Sequence, residues 1–355
     1  MVDRRQLRTL LILLPAAIAG GWLWSSFKLP LGWLMGSALV TGIFAMSGVS
    51  IRMPKLPHRA GLVIVGASVG LTFTPEIAEH VAGWLPLMVV GGALGIVAAA
   101  LVAPLLATAG GMSTATAYFS LLPGGVIEMA RIGESHGGDR TTIAALHAIR
   151  VALVVGLLPL VLFALFPSYP VADGGQAAQV PLPELAATLA IGALGGWLGA
   201  RWKLPAAWLL GAVLAVGAVA ASGLLGGRMP PVFLAAAQVI VGIALGERFE
   251  RKSLASIPRA IATGVPALLA IMLFMGLAAA AAATWLAADI PTLVLAFSIG
   301  GMAEMVLTAK ALHQDVALVA AFQALRAVMV NAVAGGVWSR FLARRAQPAS
   351  SGGGD

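Results

Sequence analysis

The chain contains no cysteine, which excludes disulfides, iron–sulfur clusters and thiolate metal sites. It also has little charge. Asp, Glu, Lys and Arg make up 10% of its 355 residues, where a soluble domain carries about a quarter. No polar stretch is long enough for a separate soluble domain. Histidine is scarce too: His58, His80, His136, His147 and His313 are scattered without metal-ligand spacing. A dinucleotide-binding glycine fingerprint is missing. The chain is therefore expected not to be an enzyme and to hold no metal or cofactor.

What the chain has in abundance is apolar length. It is 60% hydrophobic, and runs long enough to span a bilayer recur from end to end. This predicts an all-α polytopic membrane protein. The net charge of +8 then reads as basic residues holding the cytoplasmic loops, not as a nucleic-acid surface. The opening "MVDRRQLRTLLILLPAAIAGG" resembles a signal peptide. Its apolar stretch runs on through Trp24 and the region recurs mid-chain, so a retained first helix is expected.

The chain is duplicated. "GGWLWSSFKLPLGWLMG" at Gly20 matches "GGWLGARWKLPAAWLLG" at Gly195, and "VIVGASVG" at Val63 matches "VIVGIALG" at Val239. "PGGVIEMARIGESHGGD" from Pro123 matches "IGGMAEMVLTAKALHQD" from Ile299. The offset stays at 175 or 176 throughout, which marks a true repeat. The expected organisation is a membrane repeat over 1–166, a periplasmic linker over 167–182, a second repeat over 183–345 and a disordered Gly/Ser-rich tail over 346–355.

Each half offers six apolar segments: about 8–27, 30–49, 59–74, 84–107, 112–136 and 140–166, then 183–200, 205–225, 230–246, 260–286, 292–312 and 315–342. Pro30 and Pro205 sit where helices begin. Lys28 and Lys203 precede them as snorkelling interface residues. The fifth segment carries Gly124–Gly125 or Gly300–Gly301 in its middle, which predicts a break. It either crosses as a broken helix or dips in and returns.

Basic residues separate these alternatives. If all twelve segments cross, Lys and Arg divide ten to ten. If the fifth segment of each half is re-entrant, seventeen lie inside and three outside (Lys28, Arg228 and Lys310), with Arg150 and Arg326 inside the membrane. Only the second split obeys the positive-inside rule. It predicts two inverted repeats, each with five crossings and one re-entrant or broken segment, and both termini cytoplasmic.

Broken helices in inverted repeats place half-helix ends at mid-membrane, the usual setting of a transporter site. Gly124, Gly125, Gly300 and Gly301 would let backbone approach a ligand closely. Glu128 and Glu304 follow the breaks. Each is either a coupling or gating carboxylate, tied to protons or sodium, or a cap that pairs with an arginine. Arg150 and Arg326 either bind an anionic substrate bidentately or form ion pairs with Glu128 and Glu304. His147 and Gln323 lie one turn before them on the same face; His147 alone is more simply a packed histidine. Asp139 and Asp315 read as N-caps, and Gly66/Gly70 and Gly242/Gly246 as close helix packing. Trp22, Trp33, Trp84, Trp197 and Trp208 are expected at interfaces or in packing, without a ligand.

The duplicated "GGVIEM" and "GGMAEM", with "KLP…W" opening each half, resemble the bacterial AbrB membrane-protein family over nearly the whole chain. The resemblance implies a duplicated protein of the bacterial inner membrane. Members are described as regulators of gene expression and as ammonia monooxygenases; the family brings no catalytic residues to transfer. A monooxygenase needs a redox metal or flavin that these residues do not suit. The expected function is secondary transport of a small anionic metabolite by alternating access, with a membrane sensor or regulatory scaffold as the alternative. The expected partners are that metabolite, the lipid bilayer and further copies of the chain in a homo-oligomer, with no nucleic acid.

Overall fold

The computed structural model describes residues 4–27, 30–166, 178–251 and 255–342. Lys28, most of the linker and the tail lie outside them. The described chain is helical, and its one bridge outside helices joins Gln179 to Arg228.

In the first half α1 spans Arg4–Ser26, α2 Gly32–Met46, α3 Lys55–Gly70, α4 Pro75–Gly83 and α5 Leu85–Gly110. Then come α6 (Thr114–Leu121), α7 (Val126–Ser135) and α8 (Arg140–Leu165). In the second half α9 spans Leu182–Arg201, α10 Ala207–Ala221, α11 Pro231–Gly246 and α12 Pro258–Trp285. They are followed by α13 (Ile290–Phe297), α14 (Met302–Ala311) and α15 (Val316–Val337), the last continuing as a π-helical turn over Trp338–Leu342. The sequence foresees these elements except the short α4. Asp139 caps α8 through the Thr141 and Thr142 amides, and Asp315 caps α15 through the Leu318 amide.

Among the described residues six helices are long and apolar enough to cross a membrane: α1, α5, α8, α9, α12 and α15. Their outward faces are bare hydrocarbon; Leu101 and Leu105 are 74% and 70% exposed and Leu277 is 62% exposed. A bilayer covers such a belt. This is a helical membrane protein. The sequence reading of ten crossings also counts α2, α3, α10 and α11. These have 15 or 16 residues, about 22–24 Å of helix, which is short of a hydrocarbon core of about 30 Å.

Packing divides the molecule differently from the duplication. One bundle is built from α1–α3 and α9–α11; the other is built from α5–α8 and α12–α15. Each therefore takes helices from both halves. In the first bundle α2 packs on α11 and α3 on α10. Glycine permits this. A Cβ on Gly66 would stand 2.5 Å from the Leu209 carbonyl oxygen, and one on Gly242 would stand 2.5 Å from that of Leu34. The predicted close packing of these glycines is present, and it joins one half to the other.

Candidate functional site

Each broken segment is a helical hairpin. In the first, the Asp139 amide, at the start of α8, donates to Thr116 Oγ1 in the first turn of α6 at 2.8 Å. The start of α6 and the exit of α7 therefore sit side by side, and the Leu122–Gly125 break is the tip. The second hairpin repeats this. Thr292 Oγ1 on α13 accepts from the Asp315 amide at 3.3 Å and donates to Gln314 Oε1 at 3.0 Å.

The two bases lie at opposite ends of α15. That helix starts at the base of the second hairpin. It ends against the base of the first, where Tyr118 donates to the Ala334 carbonyl and Trp338 stacks on Tyr118. The end holding the base of the first hairpin is called the near end, the other the far end. At the near end lie Arg131, Arg140, Arg340 and Arg259, whose Nε donates to the Ala109 carbonyl at 3.0 Å. The far end carries Lys310, reached by α3 through a bond from Lys310 Nζ to the Ser68 carbonyl at 3.5 Å.

The tips meet between the two bundles. Gly124, Gly125, Gly300 and Gly301 line one small cavity of about 80 Å³ together with Glu128 and Arg326. It continues into a cavity of about 230 Å³ that holds Glu128, Glu304 and Arg150 and reaches His58 and Arg248. Ala206 lines both, in a left-handed backbone conformation with φ 46°. Its counterpart Leu31 has φ 56°. Strain of this kind, about 1–3 kcal/mol per residue, is retained where the chain turns into α2 and, beside the tips, into α10. No side-chain pattern marks it in the sequence.

Arg150 and Arg326 hold the tips together. Arg150 Nη2 donates to the Gly124 carbonyl at 2.9 Å and Nη1 to that of Leu122. Arg326 Nη2 donates to the Gly300 carbonyl at 3.0 Å and Nη1 to that of Ser298. The acceptors, like the donors, are 176 residues apart. Each guanidinium thus satisfies carbonyls exposed where α6 or α13 ends, at the negative end of the helix dipole. His147 Nε2 donates to the Phe119 carbonyl at 2.8 Å. Gln323 Nε2 donates to the equivalent Leu295 carbonyl at 2.9 Å, and its Oε1 accepts from Arg326. The ion pairs foreseen between these arginines and Glu128 or Glu304 are not made. Among the described residues the paired acids are Glu134 with Arg140 and Asp315 with His80. The carbonyls compete successfully because each tip brings two of them within reach of one planar fork.

Glu128 and Glu304 instead fold back over their own tips. They occupy the third position of α7 and α14, whose caps are Gly125 and Gly301. A Cβ on either glycine would fall 2.2 Å from the carboxylate Oε2. The glycine is thus required by the carboxylate, which in turn neutralises a helix N-terminus. Glu304 is 7% exposed and Glu128 half-buried. At the protein surface, burial raises the Asp139 carboxyl, but hydrogen bonds from Thr142 and Thr141 outweigh it and hold the group below its ordinary value.

The profile of the family described as "Transition state regulatory protein AbrB" matches residues 33–343. The chain belongs to the AbrB family. It is 26% identical over 346 residues to "Uncharacterized protein YhjN" of Bacillus subtilis (strain 168), covering 89% of this chain and 88% of that one. It is 25% identical over 305 residues to "Putative regulator AbrB" of Escherichia coli (strain K12), covering 84% and 86%. This AbrB-family chain carries its two hairpins within the matched span.

Proposed function

We propose that this AbrB-family protein is a secondary transporter of a small anionic metabolite, working by alternating access at the meeting point of the two tips. The observation that carries the reading is an asymmetry between equivalent parts. The tip cavity opens past His58 and Arg248, flanked by Ala244 of α11. At the far end the counterpart of Ala244 is Ser68, and there Lys310 closes on the Ser68 carbonyl. The counterpart of Lys310 is Glu134, which turns away to Arg140. Two arrangements of the same repeat thus coexist in one chain. Exchanging them between the halves would open the far end and close the near one, as inverted repeats do.

The near end, with its many arginines, is placed in the cytoplasm by the positive-inside rule. The substrate anion is met by Arg248, since the forks of Arg150 and Arg326 are occupied and Glu128 and Glu304 cover the amide ends of α7 and α14. Glu304, buried without an ion pair, is the coupling group for a proton or sodium ion. The proposal assigns no catalytic chemistry and no resident cofactor to the chain. The relative named a regulator suggests a second role: here an effect on expression would follow from moving a metabolite.

The absence of native cysteine makes the test direct. A single Ala303→Cys variant, reconstituted with known orientation, is expected to react with a membrane-impermeant maleimide from the near end. Substrate or an imposed proton gradient should expose it from the far end. Uptake of labelled carboxylates into proteoliposomes should fail in Glu304→Gln. Labelling from one end under every condition, with no uptake by folded protein, would sink the transport reading.

A further inference from the structure

A second cavity, of about 460 Å³, lies at the far end and is separate from the tips. Its charged lining is Arg228 and Lys310, and its polar lining includes Gln179 and Gln238. Among the described residues no carboxylate lines it. The two cations stand on different elements, one in the loop before α11 and one in the last turn of α14. Both line the same cavity. The rim is built, not draped. The Val180 amide donates to the Arg228 carbonyl and the Arg228 amide to the Ala178 carbonyl, both at 3.1 Å. That bridge fixes Gln179 and Arg228 side by side. Trp33, Met229 and Leu234 form an apolar wall.

The duplication shows that this cavity is a specialisation. At the near end the space over the equivalent indole is taken by the protein itself: the Arg59 guanidinium sits 4.8 Å over the ring of Trp208. At the far end Trp33 replaces Trp208 and Ala235 replaces Arg59, so the space beside the indole is open. Lys310 replaces Glu134, turning an acidic position basic. Arg52 and Arg228 are the same residue in both halves, within a shared "RMP". The second half has thus removed an occupying cation from the cavity and replaced an acid with a base on its lining.

We infer that this far-end cavity is a binding site for a small organic carboxylate. Two cations and two amides recognise carboxylate oxygens, and the wall of Trp33, Met229 and Leu234 covers an apolar body that an inorganic ion lacks. In the transport reading it is the vestibule through which substrate is received or released at the far end. That placement rests on transport; the binding site itself does not.

The test uses the full chain with Ala235→Cys as its single thiol, in nanodiscs. The reaction rates of two methanethiosulfonates of similar size, one anionic and one cationic, are compared. The anionic reagent should be favoured by on the order of tenfold or more, and Arg228→Gln with Lys310→Gln should abolish the preference. Citrate or succinate should slow the modification in zwitterionic lipid. Loss of charge preference in the parent, or no protection by either acid, overturns the proposal. Protection only by phosphatidylglycerol would assign the cavity to a lipid headgroup and overturn it too. Because binding is read without transport, a protein that binds but moves nothing refutes the transport reading alone.

Discussion

Replacing Arg326 separates a structural from a substrate-binding arginine. Its two η nitrogens donate to the Ser298 and Gly300 carbonyls, and the residue is 5% exposed. A hydrogen bond to a charged group contributes about 1.5–3 kcal/mol, so losing both costs about 3–6 kcal/mol. Gln323 Nε2, 3.2 Å from the Ser298 carbonyl, covers part of that loss; nothing equivalent covers Gly300. Arg326→Met is therefore expected to lower the thermal midpoint in a fixed detergent and to loosen the tip. Arg326→Lys should fall between, because one ammonium does not reproduce a planar fork. At Arg150, with Leu122 and Gly124 as acceptors, the same order should hold. The assay is thermal unfolding followed by intrinsic fluorescence, with transport measured on the surviving folded fraction. If Arg326→Met melts with the parent but loses substrate affinity, the guanidinium serves the ligand and the stapling account is wrong.

Gly301→Ala should impair transport more than Gly125→Ala: both introduce a Cβ 2.2 Å from a glutamate oxygen, but buried Glu304 has less room to move than half-buried Glu128, and uptake rates at equal protein would show the order. Gly66→Ala and Gly242→Ala should each destabilise by about 1–3 kcal/mol, because the new Cβ meets a backbone carbonyl at 2.5 Å. Gly276→Ala, with nothing within 4 Å, should gain up to about 1 kcal/mol from helix propensity; unfolding of the three variants side by side checks this. For Asp139 the carboxyl is held below its ordinary value, so its contribution is present above the unfolded-state value near pH 4 and is lost as pH falls through the folded one. Asp139→Asn should flatten that acid limb in a pH series of melting curves.

The duplication, the helical segments, the Asp139 and Asp315 caps and the close packing at Gly66 and Gly242 were legible because each is a local pattern. The partners of Arg150 and Arg326 were not. A carbonyl acceptor leaves no mark in sequence, whereas a glutamate does, so the sequence offers the arginines only an anionic substrate or Glu128 and Glu304 as partners. Leu31 and Ala206 were missed for a similar reason: a left-handed leucine or alanine is set by its surroundings. The far-end cavity did leave a signal, in the exchange of Arg59 for Ala235 and Glu134 for Lys310. Comparing the halves for their likeness alone passes over such differences.

The sequence halves suggest two domains side by side, but the glycine contacts make that division mechanically implausible. Gly66 on α3 lies against α10, and Gly242 on α11 lies against α2. Neither half can move without dragging the other. The two bundles meet differently, and the tip cavities and the far-end cavity lie along that meeting surface. A rigid-body motion between bundles would leave the glycine contacts intact while changing which end of the tip cavity is open. A disulfide across that surface should therefore arrest transport. One joining α2 to α11, inside a bundle, should leave the rate unchanged. Since every cysteine would be an introduced one, the pair can be compared in the same background. Arrest by the second cross-link would place the moving boundary between the halves, against the packing.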